Sequence, residues 1–159
     1  MNRDDEYIEN YFKGINGKTT IYVGDPCYSL HDEKWRTLLN SKENTKNTLV
    51  SSLANNDVLA MSTEFGDGFF PSNRGNFPVD SGTLGCVNIS ACSKEEKIAL
   101  KGVGLVLEFD EEAVPCYVEY TNGIINVWAN GIKTSINTTG REKEEREWEE
   151  EEWNEDEER

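Results

Sequence analysis

The chain has few of the residues on which metal sites and membrane anchors are built. Its 159 residues include one histidine and four cysteines, and no two cysteines stand in a CxxC spacing. A zinc site is therefore not expected. No apolar run approaches the roughly 20 residues that a membrane span needs, and the N-terminus lacks the apolar segment of a signal peptide. We expect a cytoplasmic protein with no membrane partner, and its cysteines, Cys27, Cys86, Cys92 and Cys116, as reduced thiols.

Positive charge is also scarce. The chain has 31 acidic and 16 basic residues, for a formal net charge of −15. Residues 141–159 alone hold twelve acidic and four basic residues, a net charge of −8. An acidic surface repels phosphate backbones at long range, so nucleic acid is not an expected partner. A small anionic ligand held by a few local cations stays compatible with this composition.

The chain length suits one domain with a core, and the composition divides it into three segments. Residues 1–18 form a polar segment in which Tyr7, Ile8, Tyr11 and Phe12 have spacings that predict a short helix. Residues 19–140 form the β domain, which includes a second predicted helix at about residues 32–40, capped by Ser29. Residues 141–159 form an acidic tail.

Most of the central segment reads as strand. Runs rich in β-branched and aromatic residues are separated by Gly, Asn, Asp or Pro. They cover residues 20–23, 58–65, 77–79, 84–89, 103–109, 114–121, 124–128 and 132–137. The predicted fold is mainly β, a β-rich α+β class: a single antiparallel sheet domain, sandwich- or barrel-like, with one or two short helices.

Two Asn-Gly dipeptides give the sharpest local prediction. Asn122-Gly123 and Asn130-Gly131 match two-residue type I′ hairpin turns, which need positive φ at both central positions. The turns fix the register of a three-stranded meander. Tyr117 then lies opposite Trp128, and Trp128 lies opposite Lys133. The other face is predicted to be core and carries Cys116, Val118, Tyr120, Ile125, Val127, Ala129, Ile132, Thr134 and Ile136.

The outward face of this meander is more aromatic than a solvated sheet requires. Cross-strand aromatic pairs stabilise sheets by about 0.2–1 kcal/mol, so Tyr117 and Trp128 have a sufficient structural explanation. The alternative is an aromatic platform with Lys133 at its edge, suited to a nucleobase or another planar group. Both interpretations stay open from sequence.

A second candidate is the segment 69–76, where Phe69, Phe70 and Arg74 occur within a few positions. Arginine makes bidentate contacts to phosphate, and aromatic side chains stack on bases. This segment therefore reads as a ligand loop or, equally simply, as a surface hairpin with a solubilising arginine.

Three segments place an aspartate beside glycine or proline at a strand end, and they contain Asp25, Asp67 and Asp80. Such aspartates usually cap their own turns. If they converged together with Glu64, they would form a cation site or a catalytic carboxylate pair. Cys27, four residues before His31, is a candidate nucleophile, but a buried structural thiol is the simpler interpretation.

The acidic tail follows Gly140 and has the charge density of a disordered segment. Its two tryptophans, Trp148 and Trp153, are unusual in a purely solvating tail and favour docking on the domain or on a basic partner.

The segments IYVGDPCY (residues 21–28), FGDGF (residues 65–69) and PVDSG (residues 78–82), together with Trp35, resemble small accessory proteins of tailed phages. The resemblance spans roughly residues 20–90. Phage proteins of this class often block host defence. The chain is similar to the anti-CBASS sponges, which sequester cyclic-nucleotide signals of host immunity. This resemblance implies a class of ligand and maps no binding motif onto individual positions.

The sequence-based hypothesis is a non-enzymatic phage counter-defence protein that sequesters a cyclic di- or oligonucleotide without a cofactor or metal. The alternative is an acidic nucleic-acid mimic that blocks a host protein, and a homo-oligomer is left open. The predicted ligand-binding residues are Tyr28, Phe69, Phe70, Arg74, Tyr117, Trp128 and Lys133.

Overall fold

Two Asn-Gly turns organise the centre of the larger sheet in the computed structural model, which describes residues 5–30, 48–53 and 56–140. Asn122 and Asn130 both have a φ of 49°, and the glycines that follow them have φ of 83° and 84°. These turns join β9 (Ala113–Thr121), β10 (Ile124–Ala129) and β11 (Ile132–Asn137). The register places Tyr117 opposite Trp128 and Trp128 opposite Lys133, which confirms the predicted meander.

The described strands form two antiparallel sheets. The six-stranded sheet has the order β1-β9-β10-β11-β5-β6, and the five-stranded sheet has the order β3-β4-β7-β2-β8. Before the meander, the strands are β1 (Glu6–Lys13), β2 (Thr19–Gly24), β3 (Thr48–Leu53), β4 (Asn56–Ser62), β5 (Gly68–Ser72), β6 (Gly75–Val79), β7 (Thr83–Asn88) and β8 (Gly104–Phe109). The mainly β class and the sandwich-like architecture are confirmed.

The main core lies between the two sheets. Alternate residues of each strand point inward, as the period of two along a strand requires. Val118 and Val127 from the larger sheet pack in one apolar cluster with Leu59 and Leu84 from the smaller sheet. All nine residues predicted for the inner face of the meander lie on that face, and eight of them are buried. Ile132, at the second turn, is half-buried.

A second apolar cluster covers the outer face of the five-stranded sheet. It includes Tyr22 and Val87 from the strands and Leu100 from the helix α1 (Lys94–Leu100). The helix begins with a capping box in which Ser93 and Glu96 exchange side-chain-to-backbone hydrogen bonds. A short 3₁₀ turn, Pro26–Tyr28, lies on the same side. This sheet is therefore covered on both faces.

The sequence-based prediction for the N-terminal segment is wrong. Residues 6–13 form the strand β1 and pair with β9 along their whole length, so they are not a helix. Tyr7 and Tyr11 are four residues apart, a spacing that suits one face of a helix. In the structure Ile8 and Phe12 point to the core, as the two-residue period of a strand requires. Pairing with β9 decides between the two periods, and it is a long-range interaction that local spacing does not show.

Other parts of the prediction have different outcomes. The segment 69–76, read as a loop or hairpin, is the β5–β6 hairpin. The helix α1 and the strand β3 were not predicted, although the Ser93–Glu96 capping box was visible in the sequence. The predicted helix at residues 32–40 and the acidic tail lie outside the described residues. None of the helices in the described ranges is long and apolar enough to span a membrane.

Candidate ligand-binding face

The outer face of the six-stranded sheet carries a row of aromatic side chains that ends in a cation. The Tyr7 and Tyr117 rings stack with centroids 5.6 Å apart, and Tyr117 meets Trp128 edge to face at 5.0 Å. The Lys133 ammonium lies 5.1 Å from the centroid of the Trp128 ring. The row crosses β1, β9, β10 and β11. We call these four residues the aromatic row.

A row of polar side chains runs beside the aromatic row and contacts Tyr117. Glu119 accepts a hydrogen bond from the Asn126 amide at 3.0 Å and from the Tyr117 hydroxyl at 3.3 Å. Ser135 donates from its hydroxyl to the Asn126 side-chain carbonyl. Partial burial and the Glu119 carboxylate raise the pKa of the Tyr117 hydroxyl, so it stays a donor. The Tyr117 ring is therefore held in place by a hydrogen-bonded polar network.

The second cation reaches the same end of the row from the β5–β6 turn. Arg74 donates from Nε and Nη2 to the Lys133 backbone carbonyl, at 3.2 and 3.1 Å. Asn73 anchors the turn, since its side-chain oxygen accepts from the Ser135 backbone N–H at 2.8 Å. A guanidinium has five N–H donors. The Lys133 carbonyl accepts from two of them, one on Nε and one on Nη2, and three are not used by this contact. Arg74 and Lys133 thus form a cationic end of the row, in which the Lys133 ammonium contacts Trp128.

Four of the seven predicted ligand-binding residues are brought together here: Arg74, Tyr117, Trp128 and Lys133. Phe69 lies outside the row, at the start of β5, with its side chain 77% exposed. Phe70 follows it on the strand and points inward, so its side chain is buried in the core and its assignment to a ligand site is corrected. Tyr28 packs against the outer face of the opposite sheet and donates to Asp80.

Tyr7 is the member of the row that sequence reasoning missed. Its side chain is 65% exposed. The alternation of Tyr7, Glu9 and Tyr11 with Ile8 and Phe12 is a strand signal that was outweighed by the helix-like spacing of the same residues. Read at a period of two, it would have placed these three side chains on one face of a strand. Their position beside Tyr117 depends on the pairing with β9.

The three aspartate segments do converge, but around a hydrogen-bond network. Asp25 is fully buried, and its Oδ2 accepts from the backbone N–H groups of Asp80 and Ser81, both at 2.7 Å. Its Oδ1 accepts from the Cys27 N–H at 2.9 Å and from the Ser81 hydroxyl at 2.5 Å. Every bond uses the carboxylate as an acceptor. The geometry explains Asp25 as the support of two turns.

The described residues around Asp25 are not arranged as a metal site. Among residues 5–30, 48–53 and 56–140, no group of three or more His, Cys, Asp and Glu side chains is arranged to hold a metal ion. Glu64 lies apart from the cluster and accepts a hydrogen bond from the Tyr120 hydroxyl. The cation-site hypothesis for the aspartates therefore has no geometric support in these ranges.

Cys27 sits in the wrong electrostatic environment for a nucleophile. Partial burial, and then the carboxylates of Asp25, Asp80 and Asp67, raise the pKa of its thiol to about 12. The thiolate is the reactive form of cysteine, and it is scarce at neutral pH under these conditions. His31, the predicted base, lies outside the described residues. Cys27 lies in a tight turn. None of the four cysteines, all of which are in the described ranges, forms a disulfide.

The raised pKa makes Cys27 slow to alkylate. Iodoacetamide at pH 8 should modify Cys27 about 30-fold more slowly in the folded protein than in urea, because the loss of thiolate exceeds the gain in intrinsic nucleophilicity. Quenched samples analysed by peptide mass spectrometry give both rates, so the denatured chain is its own control. Comparable rates in the two states would show that the thiolate is accessible and would revive the nucleophile hypothesis.

The chain has no significant match to a protein-family model, to a curated protein or to a solved structure.

Proposed function

We propose that the protein is a non-enzymatic binding protein that captures a nucleotide, specifically a cyclic di- or oligonucleotide, on the aromatic row. One observation carries this proposal: the Lys133 ammonium lies 5.1 Å from the centroid of the Trp128 ring, and the Arg74 guanidinium is anchored on the backbone carbonyl of the same lysine. A base that stacks on an aromatic side chain gains about 1–3 kcal/mol. Tyr7 is the exposed ring of the row, and Tyr117 and Trp128 are half-buried. Arginine and lysine beside it supply charge-assisted contacts to phosphate.

The net charge of the chain opposes an anionic ligand. Glu119, beside Tyr117, does so within the site, and the remaining carboxylates act at longer range. At physiological ionic strength the Debye length is about 8 Å, so distant carboxylates are largely screened. Contacts within the site then depend on Arg74 and Lys133, which are local. The acidic surface is expected to slow association more than it weakens the bound state.

Sequestration needs affinity and no chemical step. The high pKa of Cys27 fits this function, since the thiol offers little thiolate for covalent catalysis. The resemblance of residues 20–90 to phage accessory proteins supports a counter-defence role, in which the captured nucleotide is an immune signal of the host cell. The ligand would then be released chemically unchanged.

Calorimetric titration of the full chain with cyclic dinucleotides measures the affinity and tests the proposal. Arg74→Ala should weaken binding by about 30-fold, because truncating one partner of a charge pair that the ligand desolvates typically costs 2 kcal/mol or more. Cys27→Ser should leave the affinity unchanged. Lys94→Ala removes an exposed cation on α1 and is the control for a change in net charge.

The fate of the ligand separates binding from catalysis. The complex is heated and the released nucleotide is examined by chromatography. Intact cyclic nucleotide supports sequestration, whereas a linear or hydrolysed product would make the protein an enzyme. If no cyclic nucleotide is retained, the proposal fails.

A further inference from the structure

The Tyr117 and Trp128 part of the aromatic row borders a pocket with different chemistry. This pocket, of about 520 Å³, is formed where β1, β9 and β10 lie side by side. Its walls include the rings of Tyr11, Tyr117 and Trp128, with Pro115 and the carboxylate-bearing Glu9. Tyr11 is 68% exposed, and Glu9 is also exposed, so both can contact a ligand. We call this the Tyr11 pocket.

Three aromatic walls and a carboxylate favour a cationic guest. The faces of tryptophan and tyrosine rings are electronegative and attract a cation within about 6 Å of the ring centroid. Glu9 is the charged residue among the described residues that line the pocket, whereas Lys133 lies on the far side of Trp128. The sheet face is therefore polarised, with cations at the β11 end and a carboxylate at the β1 end.

The neighbouring edge strand indicates that the guest belongs to a polypeptide. Within the described part of the chain, β1 lies at the end of the sheet order and pairs with β9. The outer edge of such a strand offers main-chain donors and acceptors to an extended peptide. At Tyr11 the backbone N–H donates to the Asn10 side chain, a bond that a peptide would have to displace. Glu9 and Tyr11 stand on this strand, so a peptide along the edge would bring its side chains to the Tyr11 pocket.

We propose that the Tyr11 pocket binds an arginine side chain of a basic protein partner. A planar guanidinium stacks on aromatic faces and donates two parallel hydrogen bonds to one carboxylate, which a compact ammonium does not do. A basic partner is also complementary to a chain of net charge −15. The volume lies within the range of about 300–1,000 Å³ of ligand pockets, enough for a guanidinium and the backbone that carries it.

This site is separable from the nucleotide site. The two share the Tyr117 and Trp128 rings, but their charged contacts are distinct: Arg74 and Lys133 for phosphate, Glu9 for guanidinium. A variant of Glu9 therefore tests the Tyr11 pocket, and a variant of Arg74 tests the nucleotide proposal. Either proposal can fail without the other.

Three synthetic peptides provide the test: acetyl-Thr-Val-Xaa-Val-Thr-amide, with arginine, citrulline or lysine at the central position. Citrulline keeps the shape of arginine and removes its charge. The full chain is titrated with each peptide, and binding is followed through the amide NMR signals of residues 9, 11 and 117. The arginine peptide should bind about fivefold more tightly than the citrulline peptide, and more tightly than the lysine peptide.

Glu9→Gln should abolish the preference for arginine over citrulline, and Tyr11→Ala should weaken the arginine peptide. Glu9 is exposed, so its substitution should not affect folding. The matched control is Glu95→Gln on α1, an exposed carboxylate on the other sheet's side, which should change nothing. Arg74→Ala should also leave peptide binding intact. Equal binding of the three peptides, no binding of any, or an unchanged preference in Glu9→Gln would overturn the proposal.

Discussion

Replacing Asp25 with alanine is expected to lower the free energy of unfolding by about 4 kcal/mol, because three backbone N–H groups and one hydroxyl lose their acceptor at once. The side chain is fully buried and joins two regions that are far apart in sequence. One is the 3₁₀ turn after β2, and the other is the connection from β6 to β7, where the chain passes from one sheet to the other. Urea denaturation followed by circular dichroism measures the loss.

Asp25→Asn should be nearly as harmful. Both carboxylate oxygens of Asp25 accept hydrogen bonds, but an asparagine side chain has a single acceptor oxygen. Its amide nitrogen, itself a donor, would face the donors that one carboxylate oxygen now accepts from. The matched control is Asp80→Asn. Asp80 is exposed, and its side chain contributes a hydrogen bond with Tyr28, so this loss should be within about 1 kcal/mol. A loss in Asp25→Ala as small as in Asp80→Asn would show that the network is not what stabilises the two turns.

The part of the candidate site that could be predicted is the part set by local turns. Asn122-Gly123 and Asn130-Gly131 fix the register of adjacent strands, and register fixes which side chains are neighbours. The contacts of Tyr117, Trp128 and Lys133 follow from a few consecutive residues. The same reasoning identified the buried face of the meander.

The remainder depends on long-range pairing. Tyr7 joins the row because β1 pairs with β9, more than a hundred residues later in the chain. Arg74 reaches Lys133 because the β5–β6 turn contacts β11. Asp25 was recognised as a turn residue, but its partners Asp80 and Ser81 come from a separate turn. Sequence spacing carries no information about such contacts. The separation of cations and carboxylate on the outer face of the six-stranded sheet could therefore be seen only in the structure.

Gly85→Ala is expected to destabilise the fold by about 3 kcal/mol or more, although it adds one methyl group. Gly85 lies in β7 between Ala60 of β4 and Gly24 of β2, in the middle of the five-stranded sheet. A Cβ at this position would lie 1.9 Å from the Leu59 carbonyl oxygen and 2.5 Å from the Ala60 Cα. Both atoms are backbone, so β4 would have to move away from β7 and break their hydrogen-bond ladder.

The control for this prediction is Gly102→Ala, after α1. A Cβ there would meet the Ala99 carbonyl oxygen at 3.4 Å, and Gly102 has no positive φ that would strain an alanine. Its unfolding free energy should therefore stay within about 1 kcal/mol of the parent protein. Both variants add one methyl group, one at a packed position and the other at an open position. Thermal and urea unfolding measure the difference in stability between them. If Gly85→Ala unfolds at the same urea concentration as Gly102→Ala, then β4 can shift without loss and the close approach of β4 to β7 does not constrain the sheet.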